Sequence, residues 1–469
     1  MSSKMEFLVA GLPEEVMFLE ARGEFKEAGE AIRRILNTRS ERLPSLLKER
    51  LEWELERIER IKRDYPFNRE KAFNLLKDHI PDLSQEDFEK WIKNGFIERK
   101  IIDGEEKFFA NFIPNLFRDC KEASKRRIKK VDETVVKSRE LLHKHIDEVV
   151  MKAEKTGLSL LEPVKNRVVF EIKVKPGMVP EGEIVRVWMP FPKKDYIQPE
   201  VKLVSANPKP FIVAPEESPQ RTIYFEAEAK EDEELVFRAE YEYTVYAFYR
   251  DINPDKVTPY EKNDFYDKYT SEELPHIAFT PYLRKLADEI VKGETNPYFK
   301  AWRIYKWITY NVRYALVREY STFECISEYV ARNLRGDCGF QALLFITLCR
   351  ISGVPARWQS GWYLNPIKPG MHDWAQFYIE PYGWLYVDPS FGGAMKNNEK
   401  YHRFYFGNID HFRLICNTDI SSDFHPPKRY YRSDTVDNQR GEVEYSKGNL
   451  YYDKWSYKLE VVSHEKVTG

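Results

Sequence analysis

Between Leu12 and Pro66 apolar residues recur every three to four positions, and helices are predicted there. GEFKEAGEAIRRIL, from Gly23, sets small and apolar residues against charged ones at this spacing. No second copy follows at a fixed period, so no helical repeat array is expected. In LLKERLEWELERIERI one face carries Leu47, Leu51, Leu55 and Ile58. Next, Ser84 and Asp87 stand at capping-box spacing, Gly95 offers a helix stop, and Asp103-Gly104 divides two short runs into a β-hairpin. The helix and hairpin of 84–113 have a winged-helix-like outline. The segment is not basic, so a structural or partner-binding module is expected rather than a nucleic-acid contact. From Leu116 to about Lys155 one long helix is predicted. Ile128, Val135, Leu142 and Val149 repeat every seven residues, with Val131 and Ile146 beside them, and the reading is one helix packed along the body. His143 and His145 lie on it without a carboxylate or cysteine at ligand spacing. They are taken as surface or edge residues, not metal ligands.

The period changes near Thr156-Gly157. RVVFEIKVK, EIVRVWMPFP, RTIYFEAEA and LVFRAEYEYTVYAF alternate apolar and polar residues over strand lengths, separated by Pro, Gly, Asn and Asp. They predict an antiparallel β-sandwich. The stretch after Arg250 is rich in Tyr, Asp and Pro and reads as a linker. PYFKAWRIYKWITYNVRY follows as a helix. After Ser390 come dense aromatics and turns, read as an irregular extension packed on the preceding domain that finishes as strands. The expected organisation is an α+β multidomain chain: a helical region over 1–160, a sandwich over 161–249, a linker over 250–285 and an α+β domain with an aromatic extension over 286–469.

The length of 469 residues agrees with several domains. The 74 basic and 76 acidic residues leave a net charge of −2, without the basic excess of a nucleic-acid-binding chain. Cys120, Cys325, Cys338, Cys349 and Cys416 are odd in number, widely spaced and free of any CxxC pair. That pattern points to a reducing compartment and away from a disulfide framework or a zinc ribbon. The opening MSSKMEFLVAGLPEEV lacks a secretory pattern, and no run approaches the ~20 apolar residues of a membrane span. A cytoplasmic protein without membrane partners is expected, and no metal or other cofactor.

The chemistry concentrates in RGDCGFQALLFITLCRISGVPARW, from Arg335 to Trp358. Gly336-Asp337-Cys338-Gly339 opens an apolar run of helix length that Gly353 and Pro355 close. A cysteine at a helix N-terminus meets unpaired N–H groups and the positive end of the dipole, which favour a thiolate. Cys349 sits mid-helix among apolar neighbours and reads as packing; Cys120, Cys325 and Cys416 lack a comparable setting. His372, in HDWAQFYIE, is the candidate base, ahead of His402 and His411. Asp388, in GWLYVDPS, would accept the imidazole N–H and set its tautomer. Asp373 neighbours His372, but adjacent strand residues point to opposite faces, so it is a poor orienter. An oxyanion needs donors: the Cys338 N–H is one, and Tyr314, in NVRY, is the candidate second.

GDCGFQALLFITLCRISGVPARWQSGW followed by HDWAQFYIEPYGWLYVDPS resembles the transglutaminase-like superfamily. The shared features are a Gly-x-Cys helix start, a Gly-Val-Pro-Ala-Arg exit, a His-x-Trp strand and an Asp-Pro strand end. The resemblance covers about Phe299 to Phe391. The sandwich with VRVWMPFP is similar to the β domain that precedes this core in bacterial and archaeal members. The resemblance implies a papain-like α+β core, with Cys338, His372 and Asp388 as a triad. It implies a cysteine hydrolase (peptidase or amidase) that forms a thioester on a peptide or protein amide. The alternatives are a protein-glutamine acyltransferase and a non-catalytic scaffold. A protein partner for the N-terminal helical region is a further expectation.

Overall fold

The structure is a computed structural model that describes residues 6–128 and 132–467. The chain divides into two units, residues 5–132 with 315–324, and residues 133–314 with 325–469.

The helical unit is built from locally encoded pieces. Its helices are α1 (Glu14–Arg22), α2 (Phe25–Arg39), α3 (Ser45–Asp64), α4 (Arg69–Lys77) and α5 (Gln85–Lys93). Strands β1 (Arg99–Ile102) and β2 (Glu105–Phe108) follow, then α6 (Phe112–Asp119) and α7 (Lys121–Arg126). Ser84 and Asp87 form the reciprocal capping box at the start of α5. The hairpin turns at Asp103 and Gly104, both left-handed as a tight turn between twisted strands requires. Gly23 ends α1 with φ 79°, and a Cβ there would lie 2.1 Å from the Ile101 carbonyl oxygen, so the hairpin can approach only a glycine. Leu51 and Ile58 are buried in the core of this unit, with Leu47 and Leu55 partly buried against it.

Two expectations change here. The single helix over 116–155 is broken: Cys120 leaves helical geometry at φ −105°, ψ 103°, and a separate α8 spans Glu133–Thr156. Ile128 is exposed and Val135 half-buried, whereas Leu142, Ile146 and Val149 are buried; Val131 lies outside the described residues. Residues 315–324 also belong to the helical unit, although they fall inside the span 286–469. Asn115 exchanges two 2.9 Å hydrogen bonds with the backbone of Leu316. Buried Arg57 donates to the Thr322 carbonyl at 2.9 Å while pairing with Glu54 at 2.6 Å and with Glu20.

The larger unit begins with α8 and continues as β3 (Leu160–Val174), β4 (Ile184–Pro190), β5 (Glu200–Asn207), β6 (Phe211–Val213), β7 (Thr222–Glu228) and β8 (Leu235–Phe248). Next come α9 (Asp264–Thr270), α10 (Pro281–Val291), α11 (Pro297–Asn311), β9 (Arg313–Tyr314), α12 (Ile326–Asn333), β10 (Arg335–Gly336) and α13 (Cys338–Ile351). Then follow β11 (Ala356–Tyr363), β12 (Gly370–Ile379), β13 (Gly383–Val387), α14 (Pro389–Ala394), α15 (Glu399–Phe404), β14 (Phe406–Gly407) and β15 (Arg413–Asn417). The chain closes with β16 (Glu442–Tyr445), β17 (Gly448–Leu450) and β18 (Trp455–Lys466).

The sandwich has sheets ordered β17-β16-β4-β7-β6 and β18-β3-β8-β5. Its alternation is as read: Phe237, Ala239, Tyr241, Tyr243 and Val245 are all buried. Three of its strands come from the far end of the chain, so 161–249 is only part of it. β18 pairs along nearly all of β3, and β16 pairs with β4. Alternation within a strand does not say which sheet receives it, so the C-terminal strands could not be placed from pattern alone. The linker carries α9 and the start of α10 and packs its aromatics on the core: Tyr260 donates to the Tyr378 carbonyl at 2.6 Å, and Phe265 packs on Tyr378.

The core sheet is ordered β14-β13-β12-β11-β15, with α13 packed on β11 and β12. Residues 338–350 of α13 are all buried, which explains why its sequence is apolar on every side. Phe345 meets Phe377 of β12 at 5.9 Å between ring centroids. Among the described residues no helix is long and apolar enough to cross a membrane.

Candidate active site

Cys338 is the first residue of α13, and Asp337 caps it by accepting the Phe340 N–H at 3.1 Å. A Cβ on Gly336 would lie 2.5 Å from the Phe340 Cβ, so the tight entry into the helix needs that glycine. Gly336 pairs in register with Tyr314 across β10 and β9. The candidate oxyanion donor therefore stands beside the strand that delivers Cys338.

The Cys338 thiol is 8% exposed, and its Sγ donates to Asp373 Oδ2 at 3.3 Å. Burial, with the carboxyls of Asp373 and Asp337 behind it, pushes this thiol well above the ordinary cysteine range. The helix start was expected to favour a thiolate; the desolvation of a charged sulfur and two nearby acids act the other way.

His372 lies near the start of β12, with Gly361 opposite it on β11. Its Nε2 is 2.6 Å from Asp388 Oδ2, and both side chains are buried. Asp388 ends β13 and caps α14, accepting the Phe391 N–H and the Ser390 hydroxyl, each at 3.0 Å. Arg413 of β15 donates to it at 2.9 Å. The same guanidinium reaches Asp410 at 2.6 Å, and all three side chains of this ion cluster are fully buried. Burial alone would raise the Asp388 carboxyl. The charges of His372 and Arg413 and the hydrogen bonds from His372 and the Phe391 N–H reverse that and hold it well below the usual carboxylate range. Phe391 packs over the imidazole at 4.4 Å, and Trp374 stacks beside it at 6.1 Å. The ring is thus fixed by a carboxylate at one nitrogen and by aromatic faces.

His372 and Asp388 are brought together as a dyad. Cys338 opens its helix as expected, but its hydrogen bond goes to Asp373 rather than to His372. Asp373, the chain neighbour of His372 on β12, is what the thiol meets instead. The rival histidines lie elsewhere. His402 is hydrogen-bonded to Thr309 at 2.9 Å, and His411 to the Glu162 carbonyl at 2.6 Å; burial lowers each to about 4. His145 is not a surface residue: it is buried, stacked on His411 at 3.7 Å. Among the described residues no group of three or more His, Cys, Asp or Glu could hold a metal ion. None of the five cysteines forms a disulfide bond.

The sequence reading missed Arg413, Ser390, Asp437 and Gln439, and it set Asp373 aside. Ser390 was the findable one, two residues after Asp388. The others reach the site through strand pairing and the C-terminal loop, and no local pattern marks them.

Residues 284–389 match the family model of the transglutaminase-like superfamily. An uncharacterised protein of Haemophilus influenzae is 28% identical over 153 residues, covering 27% of this chain. The chain spans 40% of the length of that curated relative. Among solved structures, a candidate cysteine protease from Cytophaga hutchinsonii is 16% identical with a TM-score of 0.43, covering 66% of this chain and 94% of its own. The periplasmic domain of TgpA from Pseudomonas aeruginosa is 14% identical with a TM-score of 0.26, covering 52% and 97%.

Proposed function

Because residues 284–389 form a domain of the transglutaminase-like superfamily, we propose that this chain is a cysteine-dependent hydrolase of peptide or protein amides. The observation that carries the reading is the buried His372–Asp388 pair at 2.6 Å, whose carboxylate Arg413 and the α14 N-terminus keep ionised. A base oriented in this way serves acyl transfer at a cysteine that opens a helix.

In this mechanism His372 takes the Cys338 proton, and the thiolate attacks the amide carbon. The Cys338 N–H and the Tyr314 hydroxyl donate to the oxyanion that forms. Asp388 stabilises the imidazolium, which passes its proton to the leaving amine as the C–N bond breaks. A thioester on Sγ remains. Water attacks it, His372 takes the water proton, and the returning thiolate completes the cycle.

The test is trapping of the full chain with peptide- and glutamine-based electrophiles, adducts being mapped by mass spectrometry. An adduct on Cys338 that is lost in His372→Ala is expected. A Cys338 that reacts only above the ordinary thiol pKa of ~8.5, and equally in His372→Ala, sinks the hydrolase reading. That outcome supports a non-catalytic scaffold, the reading favoured by one observation, the thiol donating to Asp373.

A further inference from the structure

The C-terminal loop between β15 and β16 reaches the nucleophile through Asp373. Gln439 Nε2 donates to Asp373 Oδ1 at 2.5 Å, to the His372 carbonyl at 3.1 Å and to the Gly361 carbonyl at 3.0 Å. One amide thus straps the β11–β12 pair at the position of His372. Asp437 accepts from Ser360, the register partner of Asp373, and its charge acts on Asp373. The loop is held in turn. Glu442 of β16 accepts the N–H groups of Ser433 and Asp434 at 2.8 Å, and Arg432 donates to the Asp437 carbonyl. Asp373, Asp437 and Glu442 are each 3% exposed or less.

Three acids therefore meet in a dry site: the Cys338 thiol, Asp373 and Asp437. Asp337 stands at the helix cap and Asp434 in the loop, and both charges act on Asp373. The Arg432 charge acts on Asp437. Each ionisation in such a group opposes the next. The carboxyls, intrinsically more acidic, ionise first, so the thiol is the last to lose its proton.

We propose that Asp373, clamped by Gln439 and backed by Asp437, is a latch that holds Cys338 as a protonated thiol, and that turnover begins when the Sγ–H leaves Asp373 Oδ2 for His372. The proton passes from sulfur to the imidazole, giving a thiolate and an imidazolium, while Asp373 keeps its own protonation state. Asp373 is a positioning residue here, and the C-terminal loop acquires a role in the chemistry. The latch rests on the reading of Cys338 as nucleophile.

The test is the rate of iodoacetamide alkylation of Cys338 in the folded full chain at pH 7.5, followed by peptide mass spectrometry so that the other four cysteines serve as internal references. Asp373→Asn keeps the shape and removes an acid. Below the thiol pKa each unit of lowering raises the thiolate fraction tenfold, and a rise of at least tenfold is expected. Gln439→Ala, which frees the Asp373 carboxyl without touching the sulfur, is expected to give a smaller rise in the same direction and covers the case in which Asp373→Asn does not fold. An unchanged or slower rate in the folded variants overturns the latch, and a slower rate would make Asp373 the proton acceptor instead. The two readings fail separately. Faster alkylation with no peptide-electrophile adduct in Asp373→Asn leaves the latch and removes the hydrolase. An adduct in the parent chain with no acceleration in either variant does the reverse.

Discussion

Replacing Arg413 with methionine tests whether the ion cluster beneath the candidate base is as buried as its geometry indicates. The guanidinium is fully buried and makes its closest contacts to Asp410 at 2.6 Å and Asp388 at 2.9 Å. Methionine approximates the length of the side chain, so the cost is mainly electrostatic. Removing one partner of a buried pair leaves an uncompensated charge, typically costing about 3–5 kcal/mol. Two carboxylates lose a partner here, but both keep others. Asp388 retains His372, Ser390 and the Phe391 N–H, and Asp410 retains the Tyr405 hydroxyl at 3.0 Å and the Phe412 N–H at 2.9 Å. The expected loss is therefore about 3–5 kcal/mol rather than twice that. The assay is urea unfolding of the full chain at pH 7, read by tryptophan fluorescence. Adding Asp410→Leu removes one stranded charge, so the double variant should be less destabilised than the sum of the singles. The sign with pH follows from the depressed Asp388 carboxyl. Its stabilisation is present above the unfolded-state pKa and is lost as pH falls through the lower folded value. Without Arg413 that loss should begin at higher pH. A single-variant loss below about 1 kcal/mol, or strict additivity in the double, would refute the reasoning by showing that the charges are solvated.

Two further outcomes are expected. Tyr314→Phe should lower kcat on the order of 10²–10³-fold with little change in KM if its hydroxyl meets the oxyanion, the usual cost of losing one such donor; an unchanged kcat in steady-state assays removes Tyr314 from the mechanism. His276 is fully buried with both ring nitrogens unpartnered, and burial pushes it down to about 3. The unfolded chain takes up that proton below pH ~6.5 while the folded chain does not, so stability should fall by about 2 kcal/mol between pH 6.5 and 5 from this group. His276→Leu should flatten that fall in urea titrations at the two pH values, and an equally steep profile would contradict it.

What is legible in the sequence is local. The Ser84–Asp87 box, the Asp103-Gly104 turn, the alternation of 237–245 and the start of α13 at Cys338 are each decided by neighbours within a few residues. The motifs around Cys338, His372 and Asp388 resemble those of a family whose model matches 284–389. The alternation argument also placed Asp373 on the other face from His372. What alternation does not carry is the identity of whatever meets Asp373, and the thiol does. The break at Cys120, the transfer of 315–324 to the helical unit, and the return of 442–466 into the sandwich follow from packing between segments far apart in the chain. So do Arg413 under Asp388 and Gln439 on Asp373. Helix caps and turns are set by short-range sterics and hydrogen bonds that a few residues encode. The charge state of a thiol or carboxyl is set by everything that excludes water from it. The sequence alone therefore determined the local settings of Cys338, His372 and Asp388. Only the tertiary structure decided that Cys338 rests against an acid and His372 against an ion cluster.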